Sequence, residues 1–298
     1  MTAHKPSGGL PYALGAYLIW GLIPLYFRFA HTVPPLEMIG WRVILTLPFC
    51  LAVLAWFGNW GEVRSALANP RVLATLAVSS LFIAINWLTY VTAIAEGHVF
   101  ATSLGYYINP LVNVLAGTVF LRERLTRAQW LAAGLAATGV ALLAWDARDM
   151  LSIGLTLAFT FSAYGLVRKL APVESLPGLT VETLILFVPA TVIVGLQAAG
   201  PAGSSFGQSW QLDATLASAG IVTGFPLLLF AAAARRMDYS ALGFAQFLAP
   251  SIVFVLGLTV FREPLKPVQL ACFVFIWSAI AVFCWDLLRT RSRRNSQG

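Results

Sequence analysis

Charge is the scarcest property of this 298-residue chain: Asp, Glu, Lys and Arg make up 10% of it, against about 25% in a soluble domain. Hydrophobic residues make up 59%, and the mean hydropathy is +0.80. One domain cannot hide that much apolar surface from water, so the solvent must be lipid. Histidine and cysteine are rare too. His4, His31 and His98 lie in the tail or near span ends, which leaves no cluster for an intramembrane metal site. Cys50, Cys272 and Cys284 sit inside apolar segments and read as small hydrophobes rather than disulfide partners. No Gly-x-x-x-x-Gly-Lys-Ser/Thr loop occurs, which disfavours ATP as the driving force. Strict alternation of apolar and polar residues, the mark of a membrane barrel, is missing. No small-residue cleavage site follows the first apolar run, which therefore reads as a retained span and not a signal peptide.

What the chain does have is long apolar runs. Residues 72–94 and 129–145 are long enough to cross a hydrocarbon core of about 30 Å as helices. Breaks in hydrophobicity give about ten spans: 10–30, 36–57, 71–95, 99–121, 127–146, 150–169, 178–199, 213–236, 240–261 and 267–288. The Gly- and Ser-rich stretch 200–209 reads as an exposed loop. Sliding the sequence by 140 residues brings Pro110 onto Pro250, Gly117 onto Gly257 and Arg122-Glu123 onto Arg262-Glu263. The same slide brings Gln129 onto Gln269 and Trp145-Asp146 onto Trp285-Asp286. The halves are expected to be related copies, 10–146 and 150–288, followed by a basic tail, 289–298.

The net charge of +7 does not point to nucleic acid, because the basic residues collect at span ends and in the tail. With the N-terminus inside, most Lys and Arg fall on the inner side, including Arg122, Arg124, Arg127, Arg168 and Lys169. Arg28, Arg148, Arg262 and Lys266 fall outside. Both termini are then cytoplasmic. Five spans is an odd number, so the second copy enters the membrane upside down. The expected fold is an all-α polytopic membrane protein of about ten transmembrane helices in two inverted five-helix repeats. Many secondary transporters are built this way, with a substrate site between the halves.

Charges within spans are costly and mark candidate sites. Arg42 binds an anionic group or pairs with a carboxylate; its repeat mate Glu182 recognises a cation or carries a proton. Both also fit simple snorkelling, since neither is placed at mid-depth. In the fourth span Tyr106, Asn109, Pro110, Asn113 and Gly117 share one face, and Pro110 cannot donate to the Tyr106 carbonyl. That face lines a cavity or makes helix–helix hydrogen bonds. Ser79, Asn86 and Tyr90 share a face of the third span, and Asn86 matches Pro226 in the repeat. Tyr17, Trp20 and Pro24 line up in the first span, Tyr164 lies in the sixth, and Gln246 pairs with Pro250 in the ninth. These aromatic and amide groups suit a wet, amphipathic cavity, though each alone is also ordinary packing. Glu123 and Glu263 read as charge-paired helix corners, and Ala132, Ala136 and Val140 as a ridge for close packing within one chain or between two copies.

The stretches AYLIWGLIPLYF (16–27), INWLTYVTAIAEGH (85–98), SLGYYINPLVN (103–113), AYGLVRK (163–169) and GIVTGFPLLLFAAAARR (220–236) closely resemble the RarD branch of the EamA family. That family belongs to the drug/metabolite transporter superfamily. The resemblance covers nearly the whole chain. It implies a ten-helix, inverted-repeat permease of the bacterial inner membrane that exports small metabolites or drugs, with no cofactor. It also implies a His-Arg pair at the start of the second span, where this chain has Trp41-Arg42; the Arg is kept and the His is not. A proton is a candidate coupling ion and a second copy of the chain a candidate partner. The competing reading is an intramembrane enzyme acting on lipid, which needs paired carboxylates, a metal or an activated nucleophile. Only the adjacent Glu96 and His98 approach that, and they read as a span-end turn.

Overall fold

The computed structural model describes residues 8–295, except 147, 202 and 263, and leaves the side chains of 99, 100 and 290–295 undescribed. His4, Lys5, Glu263 and most of the basic tail therefore lie outside the described side chains. The described chain is all-helical: α1 (Leu10–Phe27), α2 (Pro35–Phe57), α3 (Trp60–Ala68), α4 (Pro70–Ala95), α5 (Val99–Val119), α6 (Arg127–Asp146), α7 (Leu151–Leu170), α8 (Ser175–Ala199), α9 (Trp210–Arg236), α10 (Tyr239–Gln246), α11 (Leu248–Thr259) and α12 (Pro267–Asn295). Among the described residues nine helical segments are long and apolar enough to cross a membrane, α10 and α11 together counting as one. The chain is a polytopic helical membrane protein. α5 carries Tyr106, Tyr107, Asn109, Pro110 and Asn113 in its middle turns.

Local chemistry sets the helix starts. Proline opens α2, α4 and α12, where the missing N–H would have had no intrahelical acceptor. Asn69 caps α4, its side-chain oxygen accepting from the Arg71 amide at 3.0 Å, and Ser209 caps α9. The stretch 175–177 precedes the expected seventh span yet is helical. Pro177 falls in the first turn, where its ring is tolerated. α1, α5 and α9 run unbroken through Pro24, Pro110 and Pro226. The ninth expected span is two helices, parted at Phe247 rather than at Pro250. Pro250 cannot bond back to the Gln246 carbonyl, so the turn before it tightens, with the Phe247 amide on Phe244 O at 3.3 Å.

Helix packing is mirrored between the halves. α2 packs on α8 and α6 on α12, while α7 against α4 and α5 is answered by α1 against α9 and α11. The Ala132–Ala136–Val140 ridge is buried, and α12 is the helix α6 packs on most. That close packing is thus within the chain. α2 and α9 approach so nearly that a methyl group on Gly220 would strike the Leu45 carbonyl. Trp56, Trp145 and Trp210 stand exposed at span ends, as interfacial aromatics do. The corners after α5 and α11 share one backbone form. Arg122 has φ 55° and Arg262 φ 53°. Before each, two successive amides return to one carbonyl, that of Ala116 or of Leu256. The loop 200–209 is less free than expected: Ser205 is buried, and Ser204 and Ser205 bond to Glu37 at the start of α2.

Candidate functional site: a cationic, aromatic cleft

Arg42 lies two turns into α2, where helices of both halves converge. Its Nε donates to Thr223 Oγ1 of α9 at 2.8 Å. Its guanidinium carbon sits 5.2 Å from the ring centre of Trp87 on α4 and 5.8 Å from that of Phe27 on α1. The hydroxyls of Tyr26, Tyr90 and Tyr106 lie within electrostatic range, and the Tyr90 and Tyr106 rings are 6.3 Å apart. Tyr106 is 52% exposed although its neighbours belong to the heart of the bundle. Arg42 and Tyr90 beside it are half-buried, so the three border one accessible space. Among the described residues no carboxylate lies within 4 Å of Arg42, so the expected carboxylate partner is not there. Trp41, in the place of the expected His, donates to Glu37 Oε1 at 3.1 Å and packs on Phe206. It braces Phe206 and, through Glu37, Ser204 and Ser205.

Glu182, two turns into α8, is 2% exposed and buried against α4 and α7. Its carboxylate meets Arg168 Nε at 3.6 Å and the Ser79 hydroxyl, with the Tyr164 hydroxyl beside it. Arg168, assigned from sequence to the inner loops, is fully buried. Its Nη2 donates to the Ser175 carbonyl at 3.0 Å, and its guanidinium lies over Gly178, where any side chain would collide with it. Arg168 is the site residue that sequence reasoning missed. Its only signal was the AYGLVRK stretch, and hydropathy alone put it at a span edge. Between this pair and the cleft lies a void of about 20 Å³, lined in part by Thr46, Trp87, Glu182 and Thr223. That is room for a water or two, not a metabolite. Thr223 and Trp87 thus form a shared wall between the open cleft and a nearly closed interior.

The remaining sequence-derived candidates sit elsewhere. Asn109, Asn113 and Gln246 do come together, but mainly with each other. Asn113 Nδ2 donates to Gln246 Oε1 at 2.6 Å, and Gln246 Nε2 to Asn109 Oδ1. Asn109 Nδ2 also reaches the Ala158 carbonyl at 2.6 Å. These buried amides tie α5 to α10 and α7. Asn86 donates to the Leu157 carbonyl at 2.8 Å and Thr160 Oγ1 at 3.0 Å, both on α7. Tyr17, Trp20 and Tyr164 pack around Phe230. Glu96 and His98 pair at 3.5 Å at an exposed span-end turn.

Arg42 lies toward the end of the bundle that holds the finish of α1 and the start of α2. The other end is bolted. Glu123 accepts from the Tyr239 amide (2.6 Å), the Ser240 amide (2.8 Å) and the Ser240 hydroxyl (2.6 Å), capping α10 rather than its own corner. Lys169 Nζ donates to the Ala234 and Met237 carbonyls at 2.9 and 2.6 Å, closing the end of α9.

Residues 7–145 match the EamA-like transporter family. An uncharacterized transporter of Pseudomonas aeruginosa is 43% identical over 299 residues, covering 100% of this chain and 99% of that protein. The RarD protein of Escherichia coli is 40% identical, covering 98% of this chain and 99% of its own. The chain belongs to the EamA-like transporter family. It falls in the RarD branch, and with it in the drug/metabolite transporter superfamily. The uncharacterized transporter YojE of Bacillus subtilis is 36% identical over 99% of this chain and 100% of its own. A solved crystal structure shares the fold, with a TM-score of 0.73 at 19% identity over 93% of this chain and 98% of that one. This EamA-like protein is accordingly a membrane transporter.

Proposed function

We propose that this protein is a secondary active permease that exports small metabolites or drugs across the bacterial inner membrane, by alternating access between two inverted repeats. The observation that carries this reading is the Arg42 cleft. It is walled by α1, α2, α4 and α5 of one half and by Thr223 of the other. The cleft lies toward one end of the bundle and the opposite end is tied by Glu123 and Lys169, an asymmetry that supports one state of an alternating cycle. The mirrored packing of α7 on α4 and α5, and of α1 on α9 and α11, supports two copies that exchange arrangements. With the termini cytoplasmic, the cleft faces outward and the bolt faces the cytoplasm. In this reading the solute leaves chemically unchanged, Arg42, Tyr90 and Tyr106 touch it, and Glu182 carries the coupling proton beyond the Thr223 wall. The amides of Asn109, Asn113 and Gln246 are rearranged when α10 moves rather than touched by solute.

The test is flux in proteoliposomes, with and without an imposed pH gradient, for a panel of amino acids, aromatic metabolites and chloramphenicol. Saturable, gradient-driven flux is expected, and Arg42→Ala should lower it by about tenfold or more, the worth of a hydrogen bond to a charged group. Flux that ignores the gradient and survives Arg42→Ala would sink both the coupling and the site.

A further inference from the structure

The cleft carries more than a location; it carries a charge preference. Arg42 is held by its Nε on Thr223 and by stacking near Trp87 and Phe27, contacts that use one edge and the faces of the guanidinium. Its other two nitrogens have no acceptor among the described residues, and they make the fork that matches a carboxylate in two parallel hydrogen bonds. Everything else within range is neutral: the hydroxyls of Tyr26, Tyr90 and Tyr106. The nearby acids are committed. Glu182 is held by Arg168 and Ser79 on the far side of the Thr223 wall, and Glu37 by Ser204, Ser205 and Trp41. A solute entering here therefore finds one fixed positive charge, several ring faces and no negative charge to receive a cation.

Resting on the transport reading above, we propose that the cleft takes an organic monoanion, a carboxylate on an aromatic or apolar frame, and discriminates against the corresponding zwitterion. The carboxylate sits on the free edge of Arg42, and the frame lies against Tyr90, Tyr106 and Trp87. An added ammonium group has to leave water for a cleft that holds a cation and offers no carboxylate, so it weakens binding rather than strengthening it. An amphipathic amine is rejected outright by Arg42.

The experiment is equilibrium binding to the full chain in nanodiscs of phosphatidylcholine alone, which removes anionic lipid headgroups as competitors. The probes are phenylacetate, its neutral isostere phenylacetamide, phenylalanine and phenethylamine. Phenylacetate is expected to bind at least about tenfold more tightly than phenylacetamide or phenylalanine, and phenethylamine not at all. Arg42→Gln should level phenylacetate with phenylacetamide, and Arg42→Lys should restore part of the difference. The comparison between the charged probe and its neutral isostere needs only the native chain, so it stands even if the variants fold poorly. Phenylalanine binding as tightly as phenylacetate, or no phenylacetate binding into the millimolar range, overturns the proposal. A repeat with phosphatidylglycerol in the disc separates sources: displacement of phenylacetate by the lipid confirms an anion site, and binding of the lipid with no phenylacetate site overturns the small-solute assignment. Anion binding without flux in proteoliposomes would instead remove the transport reading and leave this site standing.

Discussion

Arg168→Ala will cost this protein about 3–5 kcal/mol of stability, and Glu182→Ala a similar amount, because each leaves a charge buried without its partner. Arg168 is fully buried and Glu182 nearly so, with the Ser175 carbonyl accepting from Arg168 and the Ser79 hydroxyl donating to Glu182. In detergent both variants should yield little monodisperse protein and lower melting temperatures. Removing both charges together, as Arg168→Met with Glu182→Leu, should recover most of the stability, since the desolvation cost of two ions goes with them. The folded double variant should be silent in gradient-driven flux if Glu182 carries the proton. A double variant no more stable than the singles would mean that the pair is not the unit described here.

Glu123→Ala should unbolt one end of the bundle. Its carboxylate holds three donors at the start of α10, and hydrogen bonds to a charged group are worth about 1.5–3 kcal/mol each. Losing them should shift the population toward the state in which that end is open, by about tenfold or more. The readout is thiol labelling of Ala116→Cys, in a background without Cys50, Cys272 and Cys284. Ala116 is buried in the cluster that holds Tyr239 and Leu242, so a reagent reaches it only when α10 lifts. Faster labelling is expected in Glu123→Ala than with Glu123 intact, and equal rates would show that the cap is not a gate.

The many spans and the all-helical class were legible in the sequence, because long apolar runs are local signals. Partners were not. Tyr106, Asn109 and Asn113 were placed on one helix face by their spacing, and they do share one. What that face meets depends on the register of α10 and α7, which spacing does not encode. The result is a cleft at Tyr106 and a closed amide cluster one to two turns on. The seventh span was read from 178, whereas proline in a first turn leaves the helix free to start at Ser175. That moved Glu182 deeper. Arg168 was misplaced by the same logic at the other end of a span, since a charge next to Lys169 reads as a loop until the fold supplies Glu182.

The two corners at Arg122 and Arg262 impose a selection rule on mutation that ignores charge. Both residues are exposed and both occupy the left-handed region, at φ 55° and 53°. A side chain there costs about 1–2 kcal/mol, and glycine trades that for about 0.5–1 kcal/mol of chain entropy. The near balance lets an arginine stay. In a scan of all substitutions, glycine and asparagine should therefore be tolerated at both positions, while valine, isoleucine and threonine, branched at Cβ, are rejected alike. Two sites 140 residues apart would then carry one tolerance profile, written by backbone geometry rather than by the charge of the residue found there.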